Sequence, residues 1–242
     1  MRKPIRRDIQ RNSHALVVHE LGQKIVAGTY SVGTLLPGDG ELAEKFQVSR
    51  TVLREAMKTL SAKGLIAPRA GIGTRVTEES SWNLFDADVL TWYFQRGITE
   101  EFMNHLTEMR QAIEPAAARL AAKNATRKDI LELYSLVEDM NEATTAHELA
   151  VMDLEFHLKL LSASKNPFMN SVGSLIEAAL VGVFRLSSPP KAGDRMTEVV
   201  SSHKHIVDMI DARDEVAAAA AMSHVIVRGR ERVFAYDTDA GS

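Results

Sequence analysis

Apolar positions in the first third of the chain recur at helical spacing in short runs, punctuated by glycines and capping residues. Leu16, Val17, Leu21 and Ile25 predict a helix that starts near Ser13, a natural N-cap, and stops at Gly28. Thr29 to Pro37 carries Gly33 and Pro37 and reads as a loop. Asp39 can cap a short helix over 40–46. Ser49 can cap another, with Val52, Leu53, Ala56 and Leu60 on its buried stripe and Gly64 as its stop. Leu65 to Pro68, a turn over 69–73, and Thr74 to Thr77 then predict a β-hairpin. Beyond a polar stretch at 78–81 strand alternation disappears. Helices are expected over Trp82–Phe94, Glu100–Lys123, Arg127–Ala143, Ala146–Ser164, Pro167–Leu186, Ala192–Ile210 and Asp214–Tyr236. Thr126 and Asp214 can cap two of these, and Asn166 with Pro167 supplies an N-cap and N1 pair.

Two short helices meeting at a turn, then a hairpin, describe a winged helix-turn-helix. The expected fold class is mainly α: this winged domain over 13–78, then an all-α helical bundle effector domain over 99–238. A flexible basic arm over 1–12 precedes them and a linker helix over 79–98 joins them. The net charge of -3 hides a division. Residues 1–78 hold 13 Lys and Arg against 7 Asp and Glu, a balance of +6, which leaves -9 for the rest. A basic third on an acidic remainder suggests one part that meets a polyanion and one that does not, although solvated surface gives the same asymmetry. No apolar run reaches the ~18 residues of a membrane span, and no apolar stretch follows the basic start as a secretory signal would require. With no cysteine there is no disulfide framework, thiolate nucleophile or Cys-ligated zinc. A cytoplasmic protein is expected.

Arg50 and Arg54 lie four apart on the helix that Ser49 caps, so they share a face while Leu53 and Leu60 point inward. Short polar groups and two guanidinium forks at a helix start suit insertion into a major groove, and Arg69 at the hairpin turn can reach phosphate or minor groove. An ordinary amphipathic helix with solvated arginines has the same spacing. The run Ile25-Val26-Ala27-Gly28 … Leu35-Leu36-Pro37 … Glu41-Leu42-Ala43 … Val48-Ser49-Arg50-Thr51-Val52-Leu53-Arg54-Glu55-Ala56 … Gly64-Leu65-Ile66 … Gly71-Ile72-Gly73-Thr74 resembles the winged-helix signature of GntR-family transcription regulators. That resemblance implies that Ser49, Arg50, Thr51 and Arg54 face DNA, with Arg69, Gly71 and Gly73 in the wing. Gly40 and Ala70 stand where many members carry basic residues or histidine, which implies a shifted operator or weaker contacts there.

Of the eight histidines, His14, His19, His105 and His147 lie on polar stretches and read as surface residues. Asp153 and His157, at i and i+4, place both ligand atoms on one helix face. His203 and His224 flank the turn at 212–214 by similar distances, so an antiparallel helix pair brings them to nearly the same depth. His205 is rotated about 200° from His203 and faces elsewhere. One carboxylate and three imidazoles in a bundle can hold a divalent transition metal of Zn, Ni or Mn type, although each His taken singly is more often an ordinary core or surface residue. Asp153 to His157, Asn166, and the stretch His203 to Asp214, Met222 and His224 resemble the effector domain of the fatty-acid-regulator (FadR) branch of GntR proteins. There the Asp and three His ligate the ion, which implies Asp153, His157, His203 and His224 here.

Met109 to Arg119 matches that domain too, and the resemblance implies that Arg110 faces the cavity and binds an organic anion. A salt bridge with Glu114 is the alternative for Arg110. Arg185 is a second possible cation. The segment Trp82 to Trp92 resembles that of sugar-acid regulators of the family, the galactonate-operon type among them, and also suits simple interdomain packing. The expectation is a homodimeric ligand-responsive regulator, a repressor, that binds palindromic double-stranded operator DNA and is released by a small organic carboxylate such as an aldonate. A metal-dependent hydrolase-like enzyme using the Asp/His cluster and an acyl-CoA-responsive regulator on the same scaffold are the competing readings.

Overall fold

The structure is a computed structural model that describes the backbone of residues 5–97, 99–173 and 194–239, with side chains over 13–97, 99–145, 147–173 and 196–231. It divides into two compact units, residues 1–98 and 99–242. Among the described residues no helix is long and apolar enough to cross a membrane.

The first unit contains α1 (Ile5–Val26), α2 (Asp39–Lys45), α3 (Arg50–Ala62), the hairpin β1 (Ile66–Arg69) and β2 (Gly73–Val76), and α4 (Ala87–Arg96). Helix α1 starts at Ile5 rather than Ser13, because nothing between Pro4 and Ala27 breaks a helix; the arm expected over 1–12 is helical from Ile5, and its first four residues lie outside the described ones. Its inward stripe is Val17, Val18, Leu21 and Ile25, whereas Leu16, expected on that stripe, is 53% exposed. Ser49 Oγ accepts the Val52 N–H at 3.3 Å and caps α3, whose Val52, Leu53, Ala56 and Leu60 are buried as the spacing requires. Gly38, not Asp39, occupies the N-cap of α2. The segment expected as a loop before α2 joins the wing: Gly33 and Leu36 donate to the Val76 and Thr74 carbonyls, and Val76 donates to Thr34. The two strands pair antiparallel with Ile66 opposite Val76 and Arg69 opposite Gly73.

The linker helix belongs to this unit and starts later than Trp82. Asp86 accepts from the Asp88 and Val89 amides and fixes the start of α4 at Ala87, leaving only a turn of 3-10 helix at Glu79–Ser81 before it. Trp82, Val89 and Trp92 are buried in the same core as Leu21, Leu42, Leu53 and Leu60. The Trp92 indole N–H donates to His19 Nδ1 at 3.1 Å. Lys63, just past α3, is buried between Asp86 and Asp88 at 2.6 and 2.8 Å and ties the end of α3 to the start of α4.

A Cβ on Gly22 of α1 would run into the Trp92 ring. Gly22→Val is therefore expected to cost about 1–3 kcal/mol, through overpacking of a filled core. Urea unfolding followed by circular dichroism measures it, and an unchanged midpoint would mean that α4 does not pack here in solution.

The second unit is helical: α5 (Glu100–Asn124), α6 (Arg127–Glu142), α7 (Ala146–Ala163), helical residues 167–173 (α8), α9 (Asp194–Asp211) and α10 (Glu215–Asp239). Helix α5 packs against α7, α9 and α10, and α6 against α7 and α9. Thr126 and Asp129 form a capping box on α6, and Asp214 caps α10 through the Val216 and Ala217 amides. Asp129 also receives Lys159 at 2.8 Å and Lys165 at 2.7 Å, which fastens α6 to the end of α7. Burial alone would raise the Asp129 carboxyl, but these ammonium partners and Thr126 hold it well below the ordinary range. Arg213, at φ 62 in the turn between α9 and α10, donates to the Ala122 and Ala125 carbonyls and satisfies the end of α5. The core runs from Ala117, Ala118 and Ala121 through Leu133, Phe156 and Leu160 to Ile206, Ile210, Met222 and Ile226.

Candidate functional site

In the first unit Ser49, Arg50, Thr51 and Arg54 are all exposed on the outer side of α3, opposite its buried stripe. Arg69, Gly71 and Gly73 are exposed on the hairpin, where Gly71 and Gly73 take φ of 72 and 124, values that side-chain-bearing residues rarely adopt. Ile72, 64% exposed, stands between them at the tip. Two arginines one helical turn apart on a rigid, capped helix present donor forks to solvent. That geometry suits base edges and phosphates.

In the second unit the sequence-predicted residues converge in part. Asp153 and His157 sit one turn apart on α7, and His203 faces them from α9; all three are buried, and their ligand atoms lie within 4.8 Å of one another. Phe156 holds both rings edge-on, its centroid 6.0 Å from His157 and 4.9 Å from His203. His203 Nδ1 lies 2.8 Å from the Val199 carbonyl. A carbonyl only accepts, so Nδ1 carries the proton and Nε2 presents a lone pair. His157 Nδ1 faces Glu114 Oε2 at 2.5 Å in the same way. The two Nε2 atoms then lie near one oxygen, Asp153 Oδ1, at 2.8 Å from His203 and 3.3 Å from His157. The His203 pair has the separation of a hydrogen bond but not its direction, and both Asp153 Oδ1 and His203 Nε2 are buried without a hydrogen-bond partner. Buried ligand atoms gathered within 4.8 Å of one another, on imidazoles oriented by acceptors behind them, fit a divalent cation.

Glu114 is the member that the sequence reading missed as part of the centre. It is fully buried on α5 and receives Arg110 through Nε at 2.5 Å and Nη2 at 3.2 Å, the salt bridge weighed for Arg110 from sequence. Arg110 is itself 7% exposed, with Nη2 3.3 Å from His157 Nε2. Burial pushes the Glu114 carboxyl up, but Arg110 and His157 outweigh it and hold it down at about 2. Burial likewise pulls the His157 imidazole down, and the Glu114 charge, with Asp153 beside the ring, lifts it instead to about 9. His203 and His157 keep Asp153 ionised against its burial. Without a cation, a proton on His157 takes its place.

His224 is placed elsewhere. Helix α10 turns Ala218, Ala221, Met222, Val225 and Ile226 inward, and His224 is exposed between them. With His205 it lines an open cavity of about 460 Å³ floored by Ala217 and Ala220. The rotation of α10 about its own axis, which equal depth along a helix pair does not specify, turns His224 away from the core. Arg185 lies outside the described residues.

Residues 14–76 match the model of bacterial regulatory proteins of the gntR family, and residues 105–228 that of the FCD domain. An uncharacterized HTH-type transcriptional regulator, YieP of Escherichia coli K12, is 36% identical over 88% of this chain and 91% of its own length. The galactonate operon transcriptional repressor of the same organism is 32% identical over 90% of this chain and 95% of its own length. Among solved structures, Lar of Listeria monocytogenes matches with a TM-score of 0.64 at 18% identity, over 91% of this chain and 96% of that one, which shows the shared fold.

Proposed function

The chain belongs to the gntR family of bacterial regulatory proteins, with an FCD domain as its second half, and from that premise we propose how it works. It is a transcription regulator rather than an enzyme. In our reading it is a homodimeric repressor of a sugar-acid operon. Each subunit places α3 in one half-site of a palindromic operator, with Arg50 and Arg54 at base edges and Arg69, Gly71 and Gly73 of the wing at the backbone or minor groove. Ser49 and Thr51 contact phosphates at the start of the helix.

The second unit senses the signal. Asp153, His157 and His203 would hold a divalent transition metal, with zinc, nickel or manganese suited to imidazole and carboxylate without sulfur. Such an ion would polarise a bound carboxylate, and a carboxylate or hydroxyl oxygen of the acid would fill the positions that the protein leaves. Arg110 stands beside it as the fixed cation. Binding then selects a domain arrangement in which the two recognition helices no longer match the half-sites, which requires the acid to bind that arrangement more tightly.

The observation that carries this reading is the buried convergence of Asp153 Oδ1 and His203 Nε2 without hydrogen bonds, inside the FCD domain. A thermal-shift screen of the metal-loaded protein against sugar acids tests it. An acid at 100 times its Kd adds about 2.7 kcal/mol of stability and should also release the operator. If no acid both stabilises the protein and releases DNA, the reading is wrong.

Arg110→Ala is expected to keep operator binding and lose the response, leaving permanent repression. Calorimetry with the active acid checks it. Unchanged affinity in the variant would put Arg110 outside the site and leave it as the fork partner of Glu114 alone.

A further inference from the structure

We propose that the buried centre of the second unit selects singly charged acids, and that Glu114 sets this preference. The inference rests on the metal-and-carboxylate reading above and narrows its ligand class. Among the described residues of the unit, the buried ionisable groups outside the Asp129 cap are Arg110, Glu114, Asp153, His157 and His203. Asp129 is satisfied by Thr126, Lys159 and Lys165 and belongs to another place.

An imidazole that ligates a cation does so in its neutral form. Among the described residues, the loaded centre then sets the Arg110 guanidinium and a doubly charged ion against two carboxylates, Glu114 and Asp153. One positive charge is left over in a place shielded from water, where an uncompensated charge is costly. A monoanion cancels it. A dianion reverses the sign and must bury a second negative charge beside Asp153 and Glu114. Glu114 matters because it consumes one unit of positive charge without any oxygen on the ion: its Oε1 and Oε2 are taken by Arg110, and Oε2 by His157 Nδ1. Replacing it with an isosteric neutral group leaves two positive charges and makes the dianion the balanced ligand.

The test uses metal-loaded, full-length protein and two acids of one carbon skeleton and stereochemistry, galactonate and galactarate. They differ in carrying one carboxylate or two. Calorimetric titration of the parent should show galactonate tighter by roughly tenfold or more, the order expected for one charge in a partly shielded site. In Glu114→Gln, with metal content verified by elemental analysis, the preference should shift toward galactarate by a similar factor. The parent comparison stands even if the variant does not fold. Equal binding of the two acids to the metal-loaded parent, tighter binding of galactarate, or binding of neither overturns the proposal. A folded variant that keeps its metal and the parent's preference removes Glu114 from it. A parent that holds no metal after reconstitution fails earlier, at the metal reading itself, and elemental analysis makes that case distinct.

Discussion

Alanine at His203 is expected to strip the metal from the protein, to less than about a tenth of an equivalent after reconstitution, while His224→Ala and His205→Ala leave occupancy at the parent's value. His203 supplies a lone pair whose direction is fixed by the Val199 carbonyl behind it, and losing one of three protein ligands leaves a pair too weak to retain an ion against buffer. The parent's ion, at 100 times its Kd, contributes about 2.7 kcal/mol, so the variant should melt roughly 5–10 °C lower under loading conditions. His157→Ala should behave likewise. The pH dependence has a definite sign. Binding displaces the proton that Glu114 and Asp153 hold on His157, so affinity rises with pH until His157 is neutral without help, at about 9, and falls steadily toward acid. Elemental analysis and a chelator competition across pH measure both effects. Equal loss of metal in His224→Ala would bring α10 into the centre, and full occupancy in His203→Ala would leave the cluster a proton-sharing polar group.

Arg50→Ala and Arg54→Ala should each weaken operator binding by about 1–3 kcal/mol, with metal content and helicity unchanged. Both side chains are exposed and project from a helix held by its own cap and by four buried residues, so truncation removes donors without disturbing the unit. The two are close enough that their effects need not add. Fluorescence anisotropy with an operator duplex at fixed salt is the measurement, since phosphate contacts make affinity strongly salt-dependent. Variants that bind like the parent would remove α3 from the groove.

Where local chemistry decides the structure, the chain is readable. Ser49, Thr126 and Asp214 cap the helices that their positions announce, and the i, i+4 spacing of Asp153 and His157 suffices to put both on one face. Misreadings arise where two periodic patterns compete. Depth along the helix pair and the family resemblance both put His224 at the centre, yet Ala218, Ala221, Met222, Val225 and Ile226 already mark the inward stripe of α10, and His224 falls outside it. Leu16 failed for the same reason on α1, where Val18 takes the inward place. Glu114 carries a signal that charge conceals: with Met103, Leu106, Arg110, Ala117 and Ala121 it completes a buried stripe along α5. A carboxylate and a guanidinium inside an apolar stripe mark a functional centre, because neither is buried without partners. The start of α4 was legible too, since Asp86 precedes the amides it accepts from, but the aromatic pair drew the boundary back to Trp82.

The placement of that aromatic pair has an optical consequence. Trp82 and Trp92 are the two tryptophans of the chain, and both are buried in the first unit. Intrinsic indole emission of the intact protein therefore reports on the DNA-binding half alone. An acid that enters the second unit changes that emission only when its arrival is transmitted to the first. Comparing emission with calorimetry, acid by acid, separates ligands that merely bind from ligands that signal, with no dye attached to the protein.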